Sequence, residues 1–290
     1  MATVTGAAAR EALTSAIDAL AAVGVEDPRL DAELLLAEAT GWSRAALAAD
    51  PEVEVPPPAG RRFGELVRRR LRREPVAYIL GRKGFRNLDL AVDRRVLIPR
   101  PETELLVELA LEMRPARVLD VGTGSGAIAL AVADELRDCE VTGTDTSAAA
   151  LEVARANAAE RFGFSERVRF REGTLPEGES FDLVLANLPY VAEREWPGLE
   201  PEVTQWEPRE ALLAGPDGLD AYRAFIPESA GLLSRYADQK SGGPKVSGAL
   251  AVEVGEGQAA AVAALMREAG FVETETRRDL AGIERVVVGA

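Results

Sequence analysis

The chain has 290 residues, 34 Lys and Arg against 48 Asp and Glu, a formal net charge of -14, no histidine and one cysteine. That length, with 47% apolar residues, suits about two globular domains with buried cores, and the acidic balance disfavours non-specific binding to nucleic acid, whose phosphates reward clustered Lys and Arg. The absence of histidine excludes Ser-His-Asp and Cys-His nucleophile pairs and His-ligated zinc, while the single Cys139 excludes intrachain disulfides and multi-cysteine metal clusters and fits a reducing cytosol.

Arg10, Glu11 and Asp18 interrupt the N-terminal apolar stretch. Nowhere do roughly 18 uncharged apolar residues run together; neither a signal peptide nor a membrane span is expected. The spacing of Leu13, Ile17 and Leu20 predicts a helix over 7–23, with Gly24 as its stop. A second helix is predicted over 28–40, with Leu30, Leu34 and Leu35 on its apolar side and Gly41 just beyond it. PEVEVPPPAG, residues 51–60, breaks the pattern, and a third helix over 61–73 carries seven arginines and one glutamate. That run reads as a solvated face whose arginine stems cover apolar neighbours; a docking surface is the alternative. Between Pro75 and Pro99 the period shortens, so AYIL, FRNLDLAV and RRVLIP predict short strands of a hairpin linker over 76–99. Pro101 then suits a helix start, with Glu102 and Glu104 at the positive end of its dipole.

From here strands at 116–121, 140–145, 167–172, 181–187 and 249–254 alternate with helices near 126–137, 147–162, 218–236 and 257–269. Such alternation predicts an α/β fold, a parallel sheet covered on both faces. GFVETETRRD and IERVVVGA close the chain as an antiparallel hairpin, and ADQKSGGPKVSG, residues 237–248, reads as a flexible surface loop.

In VLDVGTGSGAIALAVA a strand ends at Asp120-Val121, Gly122, Gly124 and Gly126 make a tight turn, and a helix begins. Glycines there permit positive φ and close backbone approach to a ligand, and the helix start offers unpaired N–H groups. Asp145 ends the next strand 23 residues after Gly122, where an acid can bind ribose hydroxyls. Gly122, Gly124 and Ala127 also satisfy the relaxed dinucleotide pattern, so NAD or FAD binding stays open on these residues. Asp120 reads equally well as a cap on backbone N–H groups.

FDLVLANLPYV sets Asn187, Leu188, Pro189 and Tyr190 directly after the fourth strand, at the end of an open parallel sheet where ligands bind. Asn187 brings a side-chain carbonyl, Leu188 a main-chain carbonyl held extended by Pro189, and Tyr190 a flat wall. Two acceptors suit a planar amino group. An amide or adenine NH2 is a poor nucleophile because its lone pair is delocalised; holding both hydrogens lets the nitrogen pyramidalise and aim that pair at an electrophile. No histidine base is required, since the proton can leave to water.

Together the glycine loop, Asp145 and NLPY resemble an S-adenosylmethionine-dependent amino-methyltransferase with a seven-stranded Rossmann-like sheet ending in an antiparallel hairpin. REPVAYILGRKGFRNLDLAVDRRVLIPRPETELLVELAL, DVGTGSGAIAL, NLPYV and EPREALLAGPDGLDAYR narrow this: over roughly residues 72–290 the chain resembles the peptide chain release factor glutamine methyltransferases, the PrmC/HemK family. The resemblance implies an N-terminal helical substrate-recognition domain (1–75), the linker (76–99) and a methyltransferase domain (100–290). It implies that Gly122, Thr123, Gly124, Ser125 and Gly126 wrap the methionine part of S-adenosylmethionine, that Asp145 binds its ribose, and that Asn187, Leu188, Pro189 and Tyr190 hold the substrate glutamine, with Asn187 also near the cofactor. Asn187, Pro189 and Tyr190 are thereby the catalytic candidates. Leu188 stands where the family usually has proline, and Thr174 and Leu175 stand where it often has an acid and an aromatic residue at the adenine; no adenine contact is assigned to them. The implied reaction methylates N5 of the glutamine in the Gly-Gly-Gln tripeptide of class 1 release factors, leaving S-adenosylhomocysteine, in the cytoplasm, with no metal, membrane or stable nucleic-acid partner. The alternatives are an adenine-N6 methyltransferase acting on nucleic acid, which presents a similar NH2, and a non-catalytic S-adenosylmethionine-binding protein.

Overall fold

A computed structural model describes residues 7–160, 167–233 and 248–290. The chain forms two compact units, Met1–Arg82 with Glu200–Trp206, and Lys83–Leu199 with Glu207–Ala290.

The first unit is helical: α1 (Ala9–Ala22), α2 (Pro28–Thr40), α3 (Arg44–Ala49), α4 (Pro57–Arg70) and α5 (Val76–Leu80), joined by a short helix over Pro201–Trp206. Asp27 caps α2 by accepting from Leu30 N at 3.2 Å, and Gly41 ends it at φ 75°. The buried stripe of α2 is Ala32, Leu35 and Leu36, whereas Leu30 and Leu34 are only half-buried. Leu20, Leu35, Leu36 and Leu66 are the fully buried centre of this unit. The helix expected over 61–73 ends at Arg70, with residues 71–73 in a turn, and the basic run divides in two. Phe63, Leu66 and Val67 face the core, and Arg70 is buried with them, pairing with Asp31 and Glu202 at 2.6 Å each. Arg73 pairs with Glu202 at 2.5 Å and Glu200 at 2.6 Å, and Arg69 with Glu74 at 2.6 Å. Arg61, Arg62, Arg68 and Arg72 are exposed.

Two of the three strands predicted across 76–99 are not formed. AYIL lies in α5, which starts after Pro75 and ends at Gly81 (φ 72°), because a five-residue apolar run is ambiguous in period and these two residues punctuate a helical turn. RRVLIP forms no strand: Val96 N closes a turn on Asp93 O at 3.0 Å and Ile98 N donates to the Glu207 carboxylate at 3.1 Å, so its donors never enter a ladder. FRNLDLAV does form a hairpin, β1 (Arg82–Phe85) and β2 (Leu88–Ala91), turning at Arg86 with φ 52°.

In the second unit α6 (Glu104–Met113) leads into β3 (Arg117–Val121), α7 (Ala127–Glu135), β4 (Glu140–Asp145), α8 (Ala148–Ala159), β5 (Val168–Glu172) and β6 (Leu183–Ala186). Helices over Asp220–Ser229 and Ala259–Glu268 flank β7 (Ala249–Glu253), and β8 (Thr274–Arg278) and β9 (Glu284–Gly289) end the chain. The helix expected over 218–236 stops at Ser229, and the loop expected at 237–248 lies, apart from Gly248, outside the described residues. The seven strands are ordered β5-β4-β3-β6-β7-β9-β8, parallel from β5 to β7, with β9 antiparallel to β7 and β8. The expected methyltransferase-type α/β sheet with a terminal antiparallel hairpin is thus present.

Side chains alternate across this sheet. Val118, Leu183, Leu185 and Ala251 pack with Leu106 and Leu130 on one face, while Leu119, Val121, Val184, Leu250 and Val252 pack with Tyr222, Phe225 and Met266 on the other. The register sets Val121 opposite both Thr144 and Ala186. The chain therefore leaves β3, β4 and β6 at one edge, and since β4 and β6 lie on opposite sides of β3, that edge is a topological switch point, where open α/β sheets bind ligands. Among the described residues no helix is long and apolar enough to cross a membrane.

Candidate active site

The turn after β3 is held open by its own backbone. Gly122, Gly124 and Gly126 have φ of 73°, 56° and 84°, and the N–H groups of Gly122 and Thr123 both donate to Thr144 O at 2.9 Å. Gly122 also allows close approach: a Cβ there would stand 3.4 Å from Asn187 O. The fully buried Asp120 closes the turn from below, its Oδ2 accepting from Thr123 Oγ1 at 2.6 Å and from Ala129 N at 3.1 Å in the first turn of α7. Burial lifts Asp120 to about 7, and its Oδ1 has no hydrogen-bond partner. Asp145, at the end of β4, spans the loop and the next helix: Oδ2 accepts from Gly124 N at 2.9 Å and Oδ1 from Ser147 N at 2.8 Å.

These groups line an open cleft at the carboxyl end of the sheet, the place where open α/β folds bind small molecules. Gly122, Gly124, Asp145, Asn187, Leu188 and Pro189 all face it. Thr123, Ser125 and Gly126 do not. Thr123 and Ser125 are buried beneath the loop, with Asn157 Nδ2 donating to Ser125 O at 2.8 Å, and Gly126 lies under Leu130 and Phe170. Thr174 lines the cleft, whereas Leu175 packs into the core. Apolar walls come from Val96, Leu97, Ala150, Pro208 and Ala211. Arg100 and Glu207 join two of these wall segments: Arg100 Nη2 meets Glu207 Oε1 at 2.5 Å, and the other Glu207 oxygen takes Ile98 N.

Tyr190 points elsewhere, lining a second cavity with Arg194, Glu195, Asp217, Gln258 and Arg285. The main chain at Tyr190 is fixed by Gln258, whose Nε2 donates to Tyr190 O at 2.9 Å. Burial, with Glu253 nearby, pushes the Tyr190 phenol up to about 12, so it stays a neutral donor.

Behind Asn187 stands a buried network with no counterpart in the sequence motifs. Thr103 Oγ1 donates to Glu253 Oε2 at 2.6 Å, and Asn187 Nδ2 donates to Thr103 Oγ1 at 3.0 Å. The Tyr190 hydroxyl is 3.5 Å from Glu253 Oε1, and the Tyr222 hydroxyl donates to Glu253 O at 2.7 Å. Glu253 is 1% exposed, and burial lifts its carboxyl to about 7. One signal was available: Glu253 is the only charge in the apolar strand ALAVEV, and a charge in a covered strand needs partners.

Comparison with known proteins agrees with this construction. The PrmC N-terminal domain matches residues 11–81, and a methyltransferase domain matches residues 118–206. Release factor glutamine methyltransferases from Caulobacter vibrioides, Geobacter sulfurreducens and Moorella thermoacetica are each 42% identical to the chain, covering 96%, 93% and 95% of it and 95%, 92% and 96% of their own lengths. In fold, the chain is similar to the hMettl16 catalytic domain (TM-score 0.54, 14% identity, 70% of this chain and 75% of that one). A methyltransferase from Pyrococcus furiosus is also similar (TM-score 0.50, 17% identity, 71% and 90%). At 42% identity along nearly the whole of three relatives, the chain belongs to the release factor glutamine methyltransferase family.

Proposed function

We propose that the cleft at the end of β3 binds S-adenosylmethionine and that the enzyme methylates N5 of the glutamine in the Gly-Gly-Gln tripeptide of class 1 release factors, in the cytoplasm, releasing S-adenosylhomocysteine. The observation that carries this reading is the convergence on one cleft of a glycine turn, a carboxylate and the outward carbonyl of Asn187.

The donor set suits the cofactor. A carboxylate offers about four lone pairs; Asp145 uses two on backbone N–H groups, which fixes its plane and leaves two for the adjacent hydroxyls of a ribose. Gly122 and Gly124 supply the close backbone floor for the methionine part, and Thr123, Ser125 and Gly126 shape that floor from beneath. When bound, S-adenosylmethionine supplies a methyl group on a positively charged sulfur, open to attack by a neutral nitrogen.

The residues of the chain supply position. Asn187 Nδ2 is held by Thr103, so Oδ1 faces outward as an acceptor. The Leu188 carbonyl is the second acceptor, held by Pro189, which forces the residue before it into an extended conformation. Leu188 is 9% exposed and packed into the core, so packing restrains it where a proline ring would otherwise do so. With both hydrogens of the substrate NH2 accepted, the nitrogen lone pair can be aimed, and the proton leaves to water after the bond forms. Tyr190 lines the second cavity, and in this reading that cavity receives the substrate chain.

The test is transfer of labelled methyl to recombinant release factor carrying Gly-Gly-Gln or Gly-Gly-Ala, with duplex DNA as a further acceptor. Label on the glutamine form alone is expected, and Asn187→Ala should lose roughly a hundredfold or more of kcat, as removal of one aligned polar group does elsewhere. Full activity in Asn187→Ala would overturn the mechanism, and label on DNA would move the substrate to adenine.

A further inference from the structure

The hydrogen bonds behind Asn187 have a direction. A threonine hydroxyl has one proton. Thr103 gives it to Glu253 Oε2 at 2.6 Å, so toward Asn187 its oxygen can only accept, and it accepts from Nδ2 at 3.0 Å. The amide of Asn187 is thereby turned nitrogen inward and carbonyl outward. Rotated by half a turn, it would present N–H donors to a substrate NH2 that itself needs acceptors. Nothing in an isolated asparagine prefers one orientation strongly, because its two ends have nearly the same shape.

We infer that Thr103 and Glu253 are positioning residues that set the polarity of the Asn187 amide, a relay that starts at a buried carboxylate and ends in an acceptor aimed at the reacting nitrogen. The inference rests on the methyl-transfer reading of the site given above. Thr103 is 4% exposed and Glu253 1%, so water is kept from competing for these bonds and the relay works in a low-dielectric setting. On the other side the Tyr190 hydroxyl stands 3.5 Å from Oε1, and Tyr222 anchors the Glu253 main-chain carbonyl.

The same relay is sensitive to protonation. The charged and titratable groups acting on Glu253 are Glu102, Arg100 and Arg285, with Tyr190 and Tyr222 beside it; burial outweighs the two arginines and holds the carboxyl near 7. A proton on Oε2 turns that oxygen into a donor toward Thr103. The Thr103 proton must then point at Asn187, whose amide rotates and presents its nitrogen to the substrate. Protonation of Oε2 therefore reverses the relay, and Glu253→Gln imitates the reversed state without titrating, its amide oxygen taking the side of the Tyr190 hydroxyl and its nitrogen the side of Thr103.

The experiment is steady-state methylation of release factor by the full-length wild type, Thr103→Ser, Thr103→Val and Glu253→Gln, from pH 5.5 to 8.5 (about one and a half units either side of neutrality), with S-adenosylhomocysteine affinity by calorimetry and thermal melting in parallel. Thr103→Val and Glu253→Gln are expected to lose roughly ten- to hundredfold in kcat, the scale of a misaligned reacting group. Their Kd for S-adenosylhomocysteine should stay within about threefold of wild type, and Thr103→Ser should recover most of the turnover lost in Thr103→Val. Wild type is expected to show an acidic limb of kcat near neutrality that is absent in Glu253→Gln. Wild-type kcat in Glu253→Gln, or an unchanged acidic limb there, would overturn the inference, as would Thr103→Ser no better than Thr103→Val. If Thr103→Val melts before it can be assayed, Glu253→Gln decides alone. A wild type that leaves release factor unmethylated would instead remove the underlying functional reading.

Discussion

Gly122 is the residue where loop and chemistry meet. Its φ of 73° is strained for any L side chain, by roughly 1–2 kcal/mol, while a Cβ there would meet Asn187 O only at ordinary contact distance, 3.4 Å. Gly122→Ala is expected to weaken S-adenosylhomocysteine binding about tenfold, measurable by calorimetry, since that strain is relieved only by moving the loop; wild-type affinity would show that the turn is no part of the cofactor floor. Glu253 carries a second residue-scale prediction. Its folded-state value near 7 lies above the 4.5 of an unperturbed glutamate, so its contribution to stability is fully present below 4.5 and is lost as pH rises through 7. Glu253→Gln does not titrate. Relative to wild type it should gain stability between pH 4.5 and 8, by an amount on the order of 3 kcal/mol, seen as a widening difference in Tm, while losing turnover. A difference in Tm that is flat with pH would contradict the burial argument. The lone charge of Glu253 in its strand was the only mark of this network in the sequence, because its link to Thr103 spans 150 positions and depends on tertiary packing, whereas Gly122, Asp145 and Asn187 each sit at a strand end where chain direction alone marks them.

At the scale of elements, α4 and the turn after it (71–73) show how a composition signal divides on folding. Seven arginines in thirteen residues looked like one face; the fold uses Arg69, Arg70 and Arg73 internally and leaves Arg61, Arg62, Arg68 and Arg72 in solvent. Arg70→Glu would set a third carboxylate against Asp31 and Glu202 with the side chain only 7% exposed. It is expected to cost about 3–5 kcal/mol and lower Tm sharply. Arg68→Glu, exposed, should stay within about 0.5 kcal/mol of wild type. Equal melting of the two would refute the division. Reversing Arg61, Arg62 and Arg68 together tests the docking alternative, since a partner surface would raise KM for release factor more than it lowers kcat. The misread AYIL segment belongs at this scale too: five apolar residues satisfy either period, and only Pro75 before and Gly81 after them decide for a helix.

At the scale of the whole molecule, what the sequence revealed best was the alternation of strands and helices, because parallel central strands are buried on both faces and read as unbroken apolar runs. Strand β4 occupies 140–145 as predicted, and β3, β5, β6 and β7 fall within a few residues of expectation. What stayed hidden was long-range assembly. Nothing local marks Glu200–Trp206 as joining the first 82 residues; it does so through Glu200 and Glu202, whose partners Arg70 and Arg73 are more than a hundred positions away. The absence of histidine, an obstacle to most hydrolytic chemistry, is no obstacle to a reaction that needs acceptors in place of a base. The most direct test of that claim is mass-spectrometric mapping of release factor after incubation with the enzyme and S-adenosylmethionine. One methyl group on the side-chain nitrogen of the Gly-Gly-Gln glutamine, absent when Asn187→Ala replaces wild type, is the predicted result; a methyl group on any other residue, or undiminished modification by Asn187→Ala, would contradict it.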